Sequence, residues 1–224
     1  LLQNISFTDF SSDSKLDGRA IRLRGQDNTY SPLLADASYE IYLCTFRNIV
    51  TRGKGGAVYA DARDRFTLKN CDFEDNFATY NGSSLWCRVG WDSVYDDNVA
   101  TIENNNFTFT PVNKDSVNVF ISAYTLLTDV TPNANLVFGG CTFSATKEVS
   151  KYSHLKITHH RSQFESIKFT SCSCVKQGNT TVSLPLLYNP NYYFTFNCEG
   201  KCDAKPAEPT PTPPPDAEGY TPAL

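Results

Sequence analysis

The chain has 224 residues and a net charge of −4, so it lacks the basic footprint that nucleic-acid binding leaves on a sequence. No apolar run approaches the roughly 18 residues a membrane-spanning helix needs, so no membrane span is expected in this chain. It has eight Cys and no Met, and a chain beginning LLQNISF without a start Met is read as a mature product or an excised piece.

One unit recurs from the first residues onward. It is clearest in YEIYLCTFRNIVTRGKGGAVYAD and RFTLKNCDFEDNFATYNGSSLWCR, where Cys-x-Phe precedes a polar turn, small residues and a short apolar run. Self-similarity at a fixed spacing is the mark of a repeat architecture. Taking the Phe as anchor gives Phe10, Phe46, Phe73, Phe107, Phe143 and, with a looser match, Phe169. Five residues earlier stand Ile5, Ile41, Leu68, Ile102, Phe138 and Phe164, all large and apolar. The closing run of each copy carries Ile21 and Leu23, Val58 and Ala60, Leu85 and Cys87, Val119 and Ile121, Leu155 and Ile157, then Val182 and Leu184.

The period-two spacing within these runs predicts strands, and no stretch shows a helical face. Several short strands per copy describe one coil of a parallel β-helix, which buries its apolar face only when coils stack. An antiparallel sandwich also has many short strands but gives no reason for one register in every copy. The fold class expected is therefore all-β: a single right-handed parallel β-helix of about six coils over residues 1–203. Gly18, Gly55 and Gly82 fall at one position before the closing strand, where a coil must bend tightly. Asn70, Asn76, Asn104, Asn105 and Asn106 cluster near the anchor turn, where Asn side chains of stacked coils can hydrogen-bond to one another.

Length varies mainly between the closing strand of one copy and the opening strand of the next, at 24–38, 61–65, 88–99, 122–135 and 158–161. Insertions at one corner of a stack project from one side, where repeat proteins often carry their binding face. From Cys172 to about residue 203 the register weakens into a Cys-rich segment, read as a cap over the last open edge. Residues 204–224 form a Pro/Thr-rich linker or stalk, since seven of the twelve Pro lie between 206 and 224 and favour an extended, unpacked chain.

The GGAV at Gly55 to Val58 and the FEDN at Phe73 to Asn76 resemble the repeats of polymorphic outer-membrane-type adhesins, which carry Gly-Gly-Ala plus an aliphatic residue and Phe-x-x-Asn on right-handed β-helix coils. The FRN at Phe46 to Asn48 is one residue short of that motif. The resemblance implies a secreted or surface β-helix, often adhesive.

Candidate site residues follow from chemistry. Sequons at Asn4, Asn81, Asn106 and Asn179 are glycosylation candidates and fit a secreted or cell-surface location. Cys44, Cys71, Cys87, Cys141, Cys172, Cys174, Cys198 and Cys202 are disulfide candidates, with a ladder of buried thiols as the alternative for Cys44, Cys71 and Cys141, which share one slot. No metal site is expected, since no Cys pair has His at ligand spacing. His154, His159 and His160 are read as turn and surface residues. Trp91, Asp92, Tyr95, Asp96 and Asp97 gather in the 88–99 insertion, where carboxylates and aromatic rings would suit a sugar. The function expected is a non-enzymatic extracellular or cell-surface module, adhesive or structural, with glycans or other surface proteins as partners and no cofactor. It would be one segment of a larger protein or assembly. The alternative is a carbohydrate-active β-helix enzyme, a polysaccharide lyase or glycoside hydrolase, using Asp92, Asp96 or Asp97.

Overall fold

The computed structural model describes residues 1–11, 15–24, 38–61, 65–89, 98–112, 116–124, 134–146, 153–160, 164–170, 172–175, 194–195 and 198–199. All regular structure among them is β-strand. The first copy supplies β1 (Leu2–Gln3), β2 (Ser6–Thr8) and β3 (Ile21–Arg24). The second supplies β4 (Ser38–Tyr42), β5 (Thr45–Arg47), β6 (Val50–Thr51) and β7 (Val58–Asp61). The third supplies β8 (Arg65–Lys69), β9 (Asp72–Glu74), β10 (Phe77–Ala78) and β11 (Leu85–Val89). Next come β12 (Asn98–Glu103), β13 (Asn106–Phe109) and β14 (Val117–Tyr124), then β15 (Ala134–Gly139), β16 (Thr142–Ala145) and β17 (Ser153–His160). The chain closes with β18 (Phe164–Thr170), β19 (Cys172–Val175), β20 (Phe194–Thr195) and β21 (Cys198–Glu199).

Every strand pair is parallel, and each joins equivalent strands of successive copies. The first sheet runs β1-β4-β8-β12-β15-β18-β20, the second β2-β5-β9-β13-β16-β19-β21, and the third β3-β7-β11-β14-β17. Parallel neighbours cannot be joined by a hairpin. The chain instead visits the sheets in turn before returning to pair one copy further on. The five expected long connections all run from the third sheet back to the first, as β3–β4, β7–β8, β11–β12, β14–β15 and β17–β18.

Alternation decides which side chains enter the core. In β8, Phe66 and Leu68 are buried while Arg65 is exposed. In the second sheet one column of rings, Phe7, Phe46, Phe73, Phe107 and Phe143, stacks with centroids 5.1, 4.7, 4.9 and 5.4 Å apart. Each fully buried ring contributes about 1.5–3 kcal/mol, plus about 0.5–1.5 for a favourable ring pair.

Register corrects the alignment at both ends. Phe46 pairs with Phe7, not Phe10, and Ile41 with Leu2, not Ile5. Phe10 and Ile5 stand 42% and 36% exposed. Two Phe three residues apart offered both registers, and the turn at Asn4 selects one. At the far end Phe138 pairs with Phe169 and Phe143 with Cys174, so Phe169 fills the earlier slot rather than the anchor. The four middle copies hold the expected register. Strands β20 and β21 lie in the segment read as a cap and add a seventh rung to the first two sheets.

The turn between the first and second sheets repeats. Asn4, Leu43, Asn70, Asn104 and Gly140, each three residues before the anchor column, all adopt positive φ of 53–60°. That conformation suits Gly and Asn and strains Leu. The amides of the first four donate to carbonyls of the next copy at 2.9–3.2 Å. At the bend before the third sheet, Gly55 and Gly82 also have positive φ, and an added Cβ would collide with the Val58 and Leu85 carbonyls. The expected glycine bend is therefore present, and its cause is backbone geometry.

Candidate functional site

The 88–99 insertion joins β11 to β12, leaving the third sheet beside buried Val89 and the Asp61–Arg88 ion pair. Trp91, Asp92, Tyr95, Asp96 and Asp97 lie outside the described residues, as do Asn179 and Cys202. Cys174 and Cys198 are placed only by their strands.

What the structure does assemble is an interior column at the corner between the first and second sheets. Cys44, Cys71, Asn105, Cys141 and Cys172 each stand two residues before the anchor position, and all five are buried. The Cys44 thiol lies 3.2 Å from the Tyr42 carbonyl and 3.9 Å from that of Leu2. Cys71 repeats this toward Lys69 at 3.3 Å and Ile41 at 3.8 Å, and Cys141 toward Gly139 at 3.4 Å and Ile102 at 3.8 Å. In the copy that has Asn instead, Asn105 Nδ2 donates to the Leu68 carbonyl at 3.0 Å, and its Oδ1 accepts the Cys71 amide at 2.9 Å. Leu2, Ile41, Leu68 and Ile102 are one register row. The slot therefore requires a small side chain that donates to a corner carbonyl of the preceding copy, a need both a thiol and an amide meet.

This geometry corrects the disulfide expectation where it can be seen: Cys44, Cys71, Cys87, Cys141 and Cys172 carry no disulfide. At Cys44, Cys71 and Cys141 the thiols face carbonyl oxygens, and the ladder alternative holds. Burial pushes the Cys71 thiol up to about 12 and raises Cys87 and Cys141 as well, so these sulfurs stay protonated and poorly nucleophilic. The expected Asn ladder is also modified. The buried members bond to backbone, with Asn76 donating to the Phe46 carbonyl at 2.9 Å and accepting the Ile49 amide at 3.1 Å. Copy-to-copy side-chain contacts also occur, on the outside where Asn106 donates to Asp72 at 2.7 Å and inside where Asn105 Nδ2 lies 3.9 Å from the Cys141 sulfur.

A second constellation was missed in the sequence. On the third sheet, Arg22, Tyr59, Trp86, Phe120 and Lys156 form one row facing away from inward Val58, Leu85 and Val119. Tyr59 and Trp86 stack at 4.6 Å, and Trp86 and Phe120 at 6.2 Å. Lys54 and Arg88 lie over Trp86 at 5.2 and 5.7 Å, and Arg22 over Tyr59 at 5.8 Å. Burial, then the Asp61 carboxylate, pushes the Tyr59 phenol to about 12. The signal was available: VYAD, LWCR and VFIS each put an aromatic residue between two inward positions.

His154 overturns its reading as a turn or surface residue. It lies in β17, 1% exposed, beside the Phe109 and Phe143 rings at 5.6 and 5.4 Å. Burial lowers its pKa to about 4, so it is neutral at pH 7. Of the sequons, Asn4 and Asn106 are exposed, whereas Asn81 is half-buried and its partner Ser83 is buried. Among the described residues no group of three or more His, Cys, Asp or Glu is placed to hold a metal ion. Compared with family models, curated proteins and solved structures, the chain matches none of them.

Proposed function

We propose that this chain is a right-handed parallel β-helix serving as a non-enzymatic, secreted or cell-surface module of structural or adhesive type. The hand follows from the strong right-handed preference of parallel crossovers. The observation that carries the functional reading is how the repeat uses its reactive residues. Cys44, Cys71, Asn76, Asn105 and Cys141 all face the backbone of their own or an adjacent copy. They act as packing and bonding groups, which leaves recognition to groups outside this core. Exposed Asn4 and Asn106 support the surface location. Unbridged Cys71, Cys87 and Cys141 are compatible with an oxidising compartment because burial keeps them protonated and exchange requires the thiolate.

The test is a binding screen of the purified chain against glycans and polysaccharides, run alongside a turnover assay. Binding without product is the expected result. Product release that disappears in Asp96→Asn or Asp97→Asn would overturn this reading in favour of an enzyme. Glycan mass at Asn4 and Asn106 checks the compartment, and an unmodified chain from a eukaryotic secretory host would count against it.

A further inference from the structure

We infer that the outward row of the third sheet binds an acidic polysaccharide, a linear chain carrying carboxylate or sulfate groups at regular intervals. The row runs Arg22, Tyr59, Trp86, Phe120 and Lys156, one residue per copy. At about 4.8 Å per copy, the backbone positions of its two terminal cations stand about 19 Å apart. Lys54 lies over the Trp86 ring at 5.2 Å and Arg22 over the Tyr59 ring at 5.8 Å, and both are exposed. A cation over an aromatic face is attracted by the ring quadrupole, so the rings hold these charges in a line.

Charge sets this face apart. On the second sheet Arg47 is paired with Glu74 at 2.5 Å, and on the first Lys69 with Glu103 at 2.8 Å. Beside the third-sheet row, Asp61 is taken by Arg88, and the Asp17 carboxylate accepts the Lys54 amide at 2.7 Å. Among the described residues Arg22, Lys54 and Lys156 make no ion pair. Against Asp17, these three cations leave the local balance positive in a chain whose net charge is −4. Such a local field raises the concentration of an anionic ligand at the row.

The rings narrow the class of anion. Tyr59 and Trp86 stack at 4.6 Å, and Trp86 and Phe120 at 6.2 Å, so ring covers ring, and Tyr59 and Trp86 are only 8% and 6% exposed. A nucleic-acid base needs an open ring face to stack on, and here those faces are taken. A neutral sugar loses its stacking platform for the same reason. Contact is left to the cation heads, which lie along one straight row, and that suits an extended polymer with evenly repeated charge.

The inference rests on the adhesive form of the function proposed above and names its ligand class. It is tested by titrating the intact chain with polygalacturonate, dextran sulfate, unmodified dextran, poly-glutamate and a single-stranded oligonucleotide, with far-UV circular dichroism on every variant. Arg22→Gln with Lys54→Gln removes two charges from the row, and Arg47→Gln with Arg65→Gln removes two exposed charges from the other sheets. Polygalacturonate or dextran sulfate should bind, more weakly as salt rises, and dextran should not. The row variant should bind about tenfold more weakly with an unchanged spectrum, and the other variant within about twofold of wild type. If the row variant loses its β spectrum, Lys156→Gln alone should still weaken binding by about threefold. Equal losses in both double variants, or equally tight binding of poly-glutamate or the oligonucleotide, would overturn this inference. Binding of dextran alone would overturn it and leave the adhesive reading standing. A chain that binds none of these and no glycan in the wider screen would overturn both.

Discussion

Leu43 is the one Leu in the column of positive-φ turn residues, and at 50% exposure its side chain gains little from packing. Leu43→Asn should therefore stabilise the chain by about 1 kcal/mol, read as a higher urea midpoint at unchanged slope. Cys71→Ala removes a buried donor and leaves a void, and should cost about 1–3 kcal/mol. Cys71→Asn should recover at least half of that loss, because the amide can donate to the Ile41 carbonyl and accept the Cys44 amide as Asn105 does one copy later. His154 is neutral in the fold with a pKa near 4, against an ordinary value of 6.5. As pH falls the unfolded chain takes up that proton first, so stability is lost between those two values, by at most about 3 kcal/mol. Denaturation midpoints of His154→Gln should show a flatter pH dependence across that window. At this scale the sequence was only partly legible. The Asn cluster stood out, but its two uses, a left-handed turn and a bond to a neighbouring carbonyl, depend on which way each side chain points.

The same turn chemistry separates two kinds of glycine at the scale of the strand and its bends. At Gly55 an added Cβ meets the Val58 carbonyl, which is backbone and cannot swing aside. At Gly140 it meets the side-chain oxygen of Asn104, in a column where Asn already stands at Asn4, Asn70 and Asn104. Gly55→Asn should therefore cost more than about 2 kcal/mol, and Gly140→Asn should change stability by less than about 0.5 kcal/mol in the same assay. The strands themselves were legible because alternation sets burial and the Phe anchors repeat in every middle copy. The first copy was misplaced by three residues because Phe7 and Phe10 compete for one slot, and the positive-φ turns at Asn4 and Asp9 fit only the Phe7 register. His154 was misread because a lone His on a strand gives no sign of its face until the strand's register is known. The Tyr59–Trp86–Phe120 row was readable from parity, since each of its residues stands between two inward positions.

Across the whole molecule, the repeat accounts for what is alike between copies, and the differences gather at the third-to-first-sheet connections and at the two ends. A repeated register could be found in one sequence because stacking places chemically equivalent residues in contact, as in the ring column from Phe7 to Phe143. The acids and aromatics between Val89 and Asn98 repeat in no other copy, so comparing the copies assigns them no position. Parallel pairing of successive copies through these rows is the feature on which the others depend. The most direct measurement is a map of cross-strand backbone proton contacts by nuclear Overhauser spectroscopy. It should link Phe46 to Phe73, Phe73 to Phe107 and Phe107 to Phe143 by amide-to-Hα contacts. Strong Hα-to-Hα contacts between sequence-adjacent strands such as β4 and β5, the mark of antiparallel pairing, would contradict it.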